Sequence, residues 1–330
     1  MKSIAIVAGG DSSEYDVSLK SAEGLYRFID KNRYDLYIVL LTGGKWIVRM
    51  QDGSASDIDK NDFSFCTDGK KIKFDYAYIT IHGRPGEDGR LQGYFDMLNI
   101  PYSSCGVLAG ALTFNKFVNN QFLKSQGIRV PESILMKEGQ EIAAIDVINE
   151  LGLPVFVKPN EGGSSFGVTK VKDASQMQPA IEKALKEGGD VIIERLIEGT
   201  EVTCGCYKTK LKHVVFPVTE VVTDNDFFDF DAKYNGEVQE ITPARISSEL
   251  SEKIQQITSQ IYDIINARGI IRIDYIIPGD NNPVLLDVNT NPGMTTTSFI
   301  PQQIHAAGLD IKDIMNEIIE ESLCKKKLNI

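Results

Sequence analysis

The sequence predicts an α/β (α+β) protein of three lobes, the first an open parallel α/β layer, and three observations carry that reading. Residues 4–8 (Ile4-Ala5-Ile6-Val7-Ala8) are an uninterrupted apolar run of the kind buried in a parallel sheet, leading through Gly9-Gly10 into a helix. Strands and helices go on alternating over the first hundred residues. The length of 330 residues, at roughly 100–200 per domain, gives two or three lobes with ligand-binding clefts between them.

Each element has a local reason. After the turn, Val17, Ala22, Leu25, Phe28 and Ile29 suit one helix face, with Ser12 or Ser13 placed to cap it. Residues 35–41 and 45–49 read as strands joined at Gly43-Gly44, and 75–81 as a strand emptying into a glycine-rich loop. One helix over 106–124 leads to Gly127 and Pro131, where a small second lobe begins. Strands at 155–158 and 167–171 flank a glycine and serine loop; a helix near 175–186 and a strand at 191–194 follow. Beyond Arg195 come strands at 201–207 and 213–222, then a loop of about 20 residues, a length that marks a functional lid or disorder. A helix over 248–267, strands at 270–277 and 284–288, and helices after Phe299 complete a larger third lobe. The expected domains are therefore 1–103, 104–195 and 196–330, with the lid over 223–243.

Composition excludes several function classes. The 46 acidic side chains against 35 basic ones leave a net charge of -11, which argues against nucleic acid as a main ligand, because phosphate-backbone binding needs a basic surface. The early apolar run is shorter than the roughly 7–15 residues of a secretory h-region, and no segment approaches the roughly 18 apolar residues of a membrane helix. A soluble cytoplasmic chain is expected. Its five cysteines are scattered, without C-x-x-C spacing, and read as buried reduced thiols.

The third lobe is the most informative for chemistry. Period-2 alternation places Arg272 with Asp274 on one strand face, and Asp287 with Asn289 on one face of the next strand. Two carboxylates and an amide form a hard-oxygen group suited to Mg²⁺, which takes few protein ligands and completes its shell with nucleotide phosphates; the alternative is a buried Arg-Asp pair holding the hairpin together. The following Asn291-Pro292-Gly293 turn, with hydroxyls up to Ser298, can cradle an anion or a carboxylate. In the second lobe, Lys158-Pro159-Asn160-Glu161-Gly162-Gly163-Ser164-Ser165-Phe166-Gly167 combines close backbone approach, hydroxyl donors and a lysine charge for phosphate, yet lacks the Walker A and G-x-G-x-x-G patterns. In the first, His82-Gly83-Arg84-Pro85-Gly86-Glu87-Asp88-Gly89 is a polar loop after a strand, where His82 is given an orienting role toward Glu14 or substrate and no proton transfer.

Taken in order, these segments resemble the D-alanine–D-alanine ligase family of ATP-grasp enzymes almost end to end. The resemblance rests on Gly9-Gly10 with Ser13-Glu14 and Val17-Ser18, His82-Gly83 with Gly86-Glu87-Asp88-Gly89 and Gln92-Gly93, Lys116, Lys158-Pro159 with Gly163-Ser164-Ser165, Glu194 and Glu201, Lys233-Tyr234, and Arg272-Ile273-Asp274 with Asn289-Thr290 and Pro292-Gly293-Met294-Thr295. It implies an ATP-grasp fold and ligation of two D-alanines through an acyl phosphate, with ADP, phosphate and D-alanyl-D-alanine as products, for peptidoglycan. The resemblance further implies that Glu14 pairs with the first D-alanine's ammonium and is hydrogen-bonded by Ser164 and Tyr234. Lys116, Lys158 and Lys233 would hold ATP phosphates; Glu194, Arg195 and Leu196 would face the adenine, and Glu201 the ribose. Asp274, Asp287 and Asn289 would hold two Mg²⁺ (or Mn²⁺), Arg272 and the Gly293 amide would stabilise the oxyanion, and Ser298 would bind the second substrate's carboxylate. A homodimer is implied, with no membrane partner.

Two departures stand out: Asp287 occupies a position that usually holds glutamate, and Glu161 stands one place earlier than the family's acid, with Gly162 in its place. The nearest alternatives are a D-Ala-D-Ser ligase, a D-Ala-D-lactate ligase, against which Tyr234 speaks, and a catalytically inactive ATP-grasp nucleotide sensor.

Overall fold

The computed structural model describes residues 1–50, 52–163, 166–223 and 238–328. The chain opens with β1 (Lys2–Gly9), α1 (Tyr15–Phe28), β2 (Tyr34–Thr42), β3 (Lys45–Arg49), β4 (Ala55–Asp57), β5 (Ser64–Thr67), β6 (Lys70–Lys73), β7 (Tyr76–Ile79) and α2 (Arg90–Met97). Five of these strands make a sheet in the order β4-β3-β2-β1-β7, in which β1 runs parallel to both β2 and β7. Strands β3 and β4 continue it antiparallel, because the two-residue turn at Gly43-Gly44 leaves no room for the crossover that a parallel return needs.

Alternate residues of β1 enter two different cores, as a continuous apolar strand requires. Ile4, Ile6 and Ala8 pack with Ala22 and Leu25 of α1 and with Ile29 just after it, while Ala5 and Val7 pack with Phe63, Phe65, Leu91 and Phe95. Neither Ser12 nor Ser13 caps α1. Glu14 occupies the cap position without a side-chain cap bond, and the Ser12 hydroxyl donates instead to the His82 carbonyl at 2.8 Å, joining the two site loops.

The expected single helix over 106–124 is two, α3 (Val107–Phe114) and α4 (Lys116–Ser125). Asn115 breaks it by taking extended backbone and accepting the Val118 N–H on its side chain, a standard N-cap arrangement. Next come β8 (Ser133–Met136), α5 (Ala144–Leu151), β9 (Val155–Pro159), β10 (Thr169–Val171), a short 3₁₀ turn (Ala174–Gln176), α6 (Met177–Glu187) and β11 (Val191–Arg195). They form an antiparallel sheet in the order β10-β9-β11-β8, its apolar face covered by α5 and α6 through Val147, Leu151, Ile181 and Ala184.

The remaining strands β12 (Thr200–Lys208), β13 (His213–Val215), β14 (Thr219–Thr223) and β15 (Val238–Ile241) precede α7 (Ser248–Ile264), β16 (Ile270–Ile277), β17 (Val284–Asn289), α8 (Phe299–Ala306) and α9 (Ile311–Leu328). The expected strand over 213–222 is thus split in two. The sheet order is β15-β14-β12-β16-β17, with β13 beside β12. Of the expected lid over 223–243, β15 occupies 238–241, while 224–237, with Lys233 and Tyr234, lies outside the described residues, as does Ser164. Among the described residues no helix is long and apolar enough to cross a membrane. Cys105, Cys204 and Cys206 are buried and burial raises their pKa values, whereas Cys66 and Cys324 are exposed, contrary to the expectation of five buried thiols.

Candidate active site

The β16–β17 hairpin sets the centre. Its antiparallel register places Arg272 opposite Asn289 and Asp274 opposite Asp287, so the four side chains gather on one sheet face. Arg272 grips Asp274 with two hydrogen bonds of 2.9 Å, Asn289 Nδ2 donates to the same carboxylate at 3.0 Å, and the buried Thr203 hydroxyl donates to it at 2.6 Å from β12. The Arg-Asp pair is therefore formed, and the Arg272 guanidinium also lies 5.3 Å from the Phe299 ring centroid.

Lys116, first residue of α4, reaches across to Asp287 with 3.0 and 3.1 Å contacts to its two oxygens. Burial alone would lower the lysine's pKa, but the carboxylates of Asp287, Glu194 and Glu87 together outweigh it and hold the value above that of an ordinary lysine. The start of α4 is fixed from outside the helix: Asn160 accepts the Lys116 N–H on its backbone oxygen at 3.0 Å and the Phe117 N–H on its side chain at 2.9 Å. On the central sheet, Lys158 of β9 and Glu194 of β11 form a 2.7 Å ion pair.

Glu14, 5 % exposed, stands at the head of α1 against the glycine-serine loop, where a Cβ on Gly163 would come within 2.9 Å of its carboxylate. Arg84 of the neighbouring loop pairs with Glu161, so the shifted acid joins the first and second groups of elements. Asn291 donates to the Gly86 carbonyl at 2.9 Å, tying the Asn-Pro-Gly turn to the His82 loop. Ser298 stands at the cap position of α8 without a side-chain cap bond; its hydroxyl accepts the Thr295 N–H at 3.1 Å instead. Glu87 accepts the Gly83 N–H at 2.7 Å; burial, with the charge of Glu14 added, raises its carboxyl to about 8.

Two cavities meet here. A cleft of about 1170 Å³ is lined by Lys158, Glu194, Arg195, Leu196, Glu201 and Asp274, among others. A chamber of about 150 Å³ is lined by His82, Glu87, Asn291, Gly293 and Ser298. Glu14, Lys116, Gly163, Arg272, Asp287 and Asn289 line both, so they form the wall between the two. Among the described residues no group of three or more His, Cys, Asp or Glu side chains is poised to hold a metal by itself. Asp274, Asp287 and Asn289 nonetheless fit Mg²⁺, which is held by one or two carboxylates plus substrate phosphates; their charge is balanced by Arg272 and Lys116.

Every residue given a site role from sequence and described here lines one or both cavities. Sequence reading gave no individual role to Glu87, Asn291, Thr203 or Asn120. The first two stood in the quoted loop and turn without assigned partners, and the other two are tertiary contacts that no local pattern announces.

An antiparallel central sheet facing a second one across a cleft, with Lys158 on the first and the Asp274–Asp287 carboxylates on the second, is the architecture of an ATP-grasp enzyme. The chain belongs to the D-alanine–D-alanine ligase family: residues 3–105 match the D-ala D-ala ligase N-terminus and 122–320 the D-ala D-ala ligase C-terminus. It is 64% identical over 326 residues to the D-alanine–D-alanine ligase of Parabacteroides distasonis, covering 99% of each chain, and 64% identical over 319 residues to that of Bacteroides fragilis, covering 97% of this chain and 98% of the other. Among solved structures it is similar to the VanG D-Ala:D-Ser ligase of Enterococcus faecalis (TM-score 0.86, 31% identity, 97% of this chain and 99% of that one) and to the D-alanine–D-alanine ligase of Bacillus anthracis complexed with ATP (TM-score 0.79, 27% identity, 100% of both).

Proposed function

We propose that this chain joins two D-alanines into D-alanyl-D-alanine at the expense of ATP, through an acyl phosphate, for peptidoglycan synthesis. The observation that carries the reading is the shared wall: a large cleft and a small chamber separated by Glu14, Lys116, Arg272, Asp287 and Asn289. A nucleotide in the cleft and two small amino acids in the chamber would meet at that wall, turning a three-body encounter into a reaction within one complex.

Phosphoryl transfer needs positioning and neutralisation of spreading charge more than covalent help. Lys116 and Lys158 supply cationic contacts to the phosphates, with Lys233 as a third. Glu194, Arg195 and Leu196 face the base and Glu201 the ribose. Asp274, Asp287 and Asn289 would hold Mg²⁺, or Mn²⁺, which neutralises phosphate charge when bound. In the chamber Glu14, oriented by His82, Ser164 and Tyr234, holds the first ammonium, and Ser298 the second carboxylate. Arg272 and the Gly293 N–H would face the oxyanion formed when the second amine attacks the acyl phosphate. We place the enzyme in the cytoplasm as a homodimer.

Phosphate release measured with D-alanine alone, and with D-alanine plus D-serine or D-lactate, tests this. Turnover with D-alanine alone, and a dipeptide product by mass spectrometry, is expected; turnover only when D-lactate or D-serine is added would overturn the choice of second substrate. ATP binding without any D-alanine-dependent ADP formation would overturn the enzymatic reading.

A further inference from the structure

Glu194 is almost completely buried, 3 % exposed, yet it faces a cleft built for a highly charged ligand. A carboxylate in that position is costly unless paired and hydrogen-bonded on both oxygens. One oxygen, Oε2, meets Lys158 at 2.7 Å. The other, Oε1, accepts a hydrogen bond of 2.9 Å from the side-chain amide of Asn120, itself 2 % exposed. Lys158 and Glu194 belong to one sheet, on adjoining strands with Ile192 opposite Lys158. Asn120 comes from elsewhere, on α4, one turn beyond Lys116. Residues four apart share a helix face, so α4 reaches two carboxylates that line the cleft: Lys116 contacts Asp287 of the third sheet, and Asn120, behind the cleft wall, contacts Glu194 of the second.

We propose that Asn120 is a positioning residue for the nucleotide, acting through Glu194. This rests on the reading of the cleft as an ATP site. The amide donor anchors the Oε1 side of Glu194, which leaves Oε2 to hold the Lys158 ammonium at the mouth of the phosphate region and keeps the carboxylate edge in one orientation toward the base. Without that donor, an oxygen buried away from water has no hydrogen bond from α4 and gains by turning to find another, taking Lys158 with it. An anionic acceptor held in one place favours a base that presents an amino group over one that presents a carbonyl. Asn120 therefore contributes to ATP affinity and to discrimination between ATP and GTP, and leaves the D-alanine chamber, whose lining it does not join, untouched.

The test is steady-state kinetics on Asn120→Leu, which keeps size and removes the donor, with ADP affinity measured by calorimetry. The expected result is a KM for ATP raised about tenfold, equivalent to about 1.4 kcal/mol, a matching loss of ADP affinity, a smaller ATP-over-GTP preference, and an unchanged KM for D-alanine. Asn120→Asp, which sets a second carboxylate against Glu194, is expected to be worse than Asn120→Leu although it is closer in shape. Asn120→Gln, which restores an amide, should recover part of the ATP affinity. A double mutant with Glu194→Gln separates positioning from general stability: the two effects on the ATP KM should be far from additive, since one acts through the other. Additive effects, or an Asn120→Leu enzyme with unchanged ATP KM and only a lowered Tm, would overturn the proposal. Should Asn120→Leu not fold, the Asp-against-Gln comparison decides in its place, equal ATP KM values counting against it. Wild-type enzyme lacking D-alanine-dependent ADP formation would instead overturn the reading of the cleft on which the proposal rests.

Discussion

Glu87 lines the small chamber beside Glu14, and burial is the largest of the influences, ahead of the charges of Glu14 and Asp287, that carry its carboxyl from an ordinary 4.5 to about 8. Between those two pH values the folded chain holds a proton that the unfolded chain has released. The stability that this proton contributes is complete below about 4.5 and is lost as pH rises through about 8, because over that interval the native state binds more protons than the unfolded one. Glu87→Gln still offers an oxygen to the Gly83 N–H but cannot ionise. Relative to wild type, its Tm is expected to improve steadily between pH 5 and pH 8.5, by a differential of about 1–3 kcal/mol at the upper end once the coupling to Glu14 is allowed for. Thermal melts at the two pH values decide, and parallel behaviour of the two proteins would show that Glu87 does not titrate abnormally. Lys116 is the counter-example on the same wall: nearby carboxylates keep it cationic in spite of burial, so it stays available to phosphate at any pH the enzyme meets.

Among the elements, those with a strong period or a sharp boundary could be read directly from the residues. The β16–β17 hairpin is the clearest, since strict alternation put Arg272 with Asp274 and Asp287 with Asn289 before any register was known, and the observed pairing brings them face to face. Short elements could not be read this way: β8 has four residues and α5 eight, too few for a period to stand out, and both owe their form to packing in the central sheet. The break between α3 and α4 falls between these cases. Asn115 carries a capping side chain, but an apolar period runs through it, and the break is enforced by Asn160, more than forty residues on, which takes up the first N–H groups of α4. Asn115→Ala should therefore cost about 1 kcal/mol of stability, visible in urea melts. It should also raise the KM for ATP, since Lys116 opens that first turn and Asn120 follows one turn later on the same helix. Asn115→Asp, an equally good cap, should restore stability. A loss of stability with the ATP KM unmoved would separate the cap from the site.

At the level of the whole molecule, the chamber depends on how closely α1 approaches the turn after β17. The Ser21 hydroxyl accepts the Met294 N–H at 3.3 Å, and Asn291 reaches back to the Gly86 carbonyl, so the segment bearing Gly293 and Ser298 is held by residues 273 and 205 positions away. Gly24 makes that contact feasible. It sits in the interior of α1, where glycine is about 1 kcal/mol worse than alanine on propensity alone. A Cβ at that position would lie 2.0 Å from the Met294 carbonyl oxygen, a backbone atom that can move only by shifting the turn. The two considerations give opposite signs for Gly24→Ala. Propensity predicts a more stable protein; close packing predicts a loss of about 1–3 kcal/mol, as overfilled cores show. Packing should win, because no side-chain rotation can relieve a contact between a Cβ and a carbonyl oxygen. The Tm is expected to fall. The KM for D-alanine should rise as the turn carrying Gly293 and Ser298 is displaced, and the KM for ATP should stay near wild type, since Lys158 and Glu194 sit on β9 and β11, away from that turn. An increase in Tm, or equal effects on both substrates, would mean that α1 and the turn move together and that the chamber is not shaped by this contact.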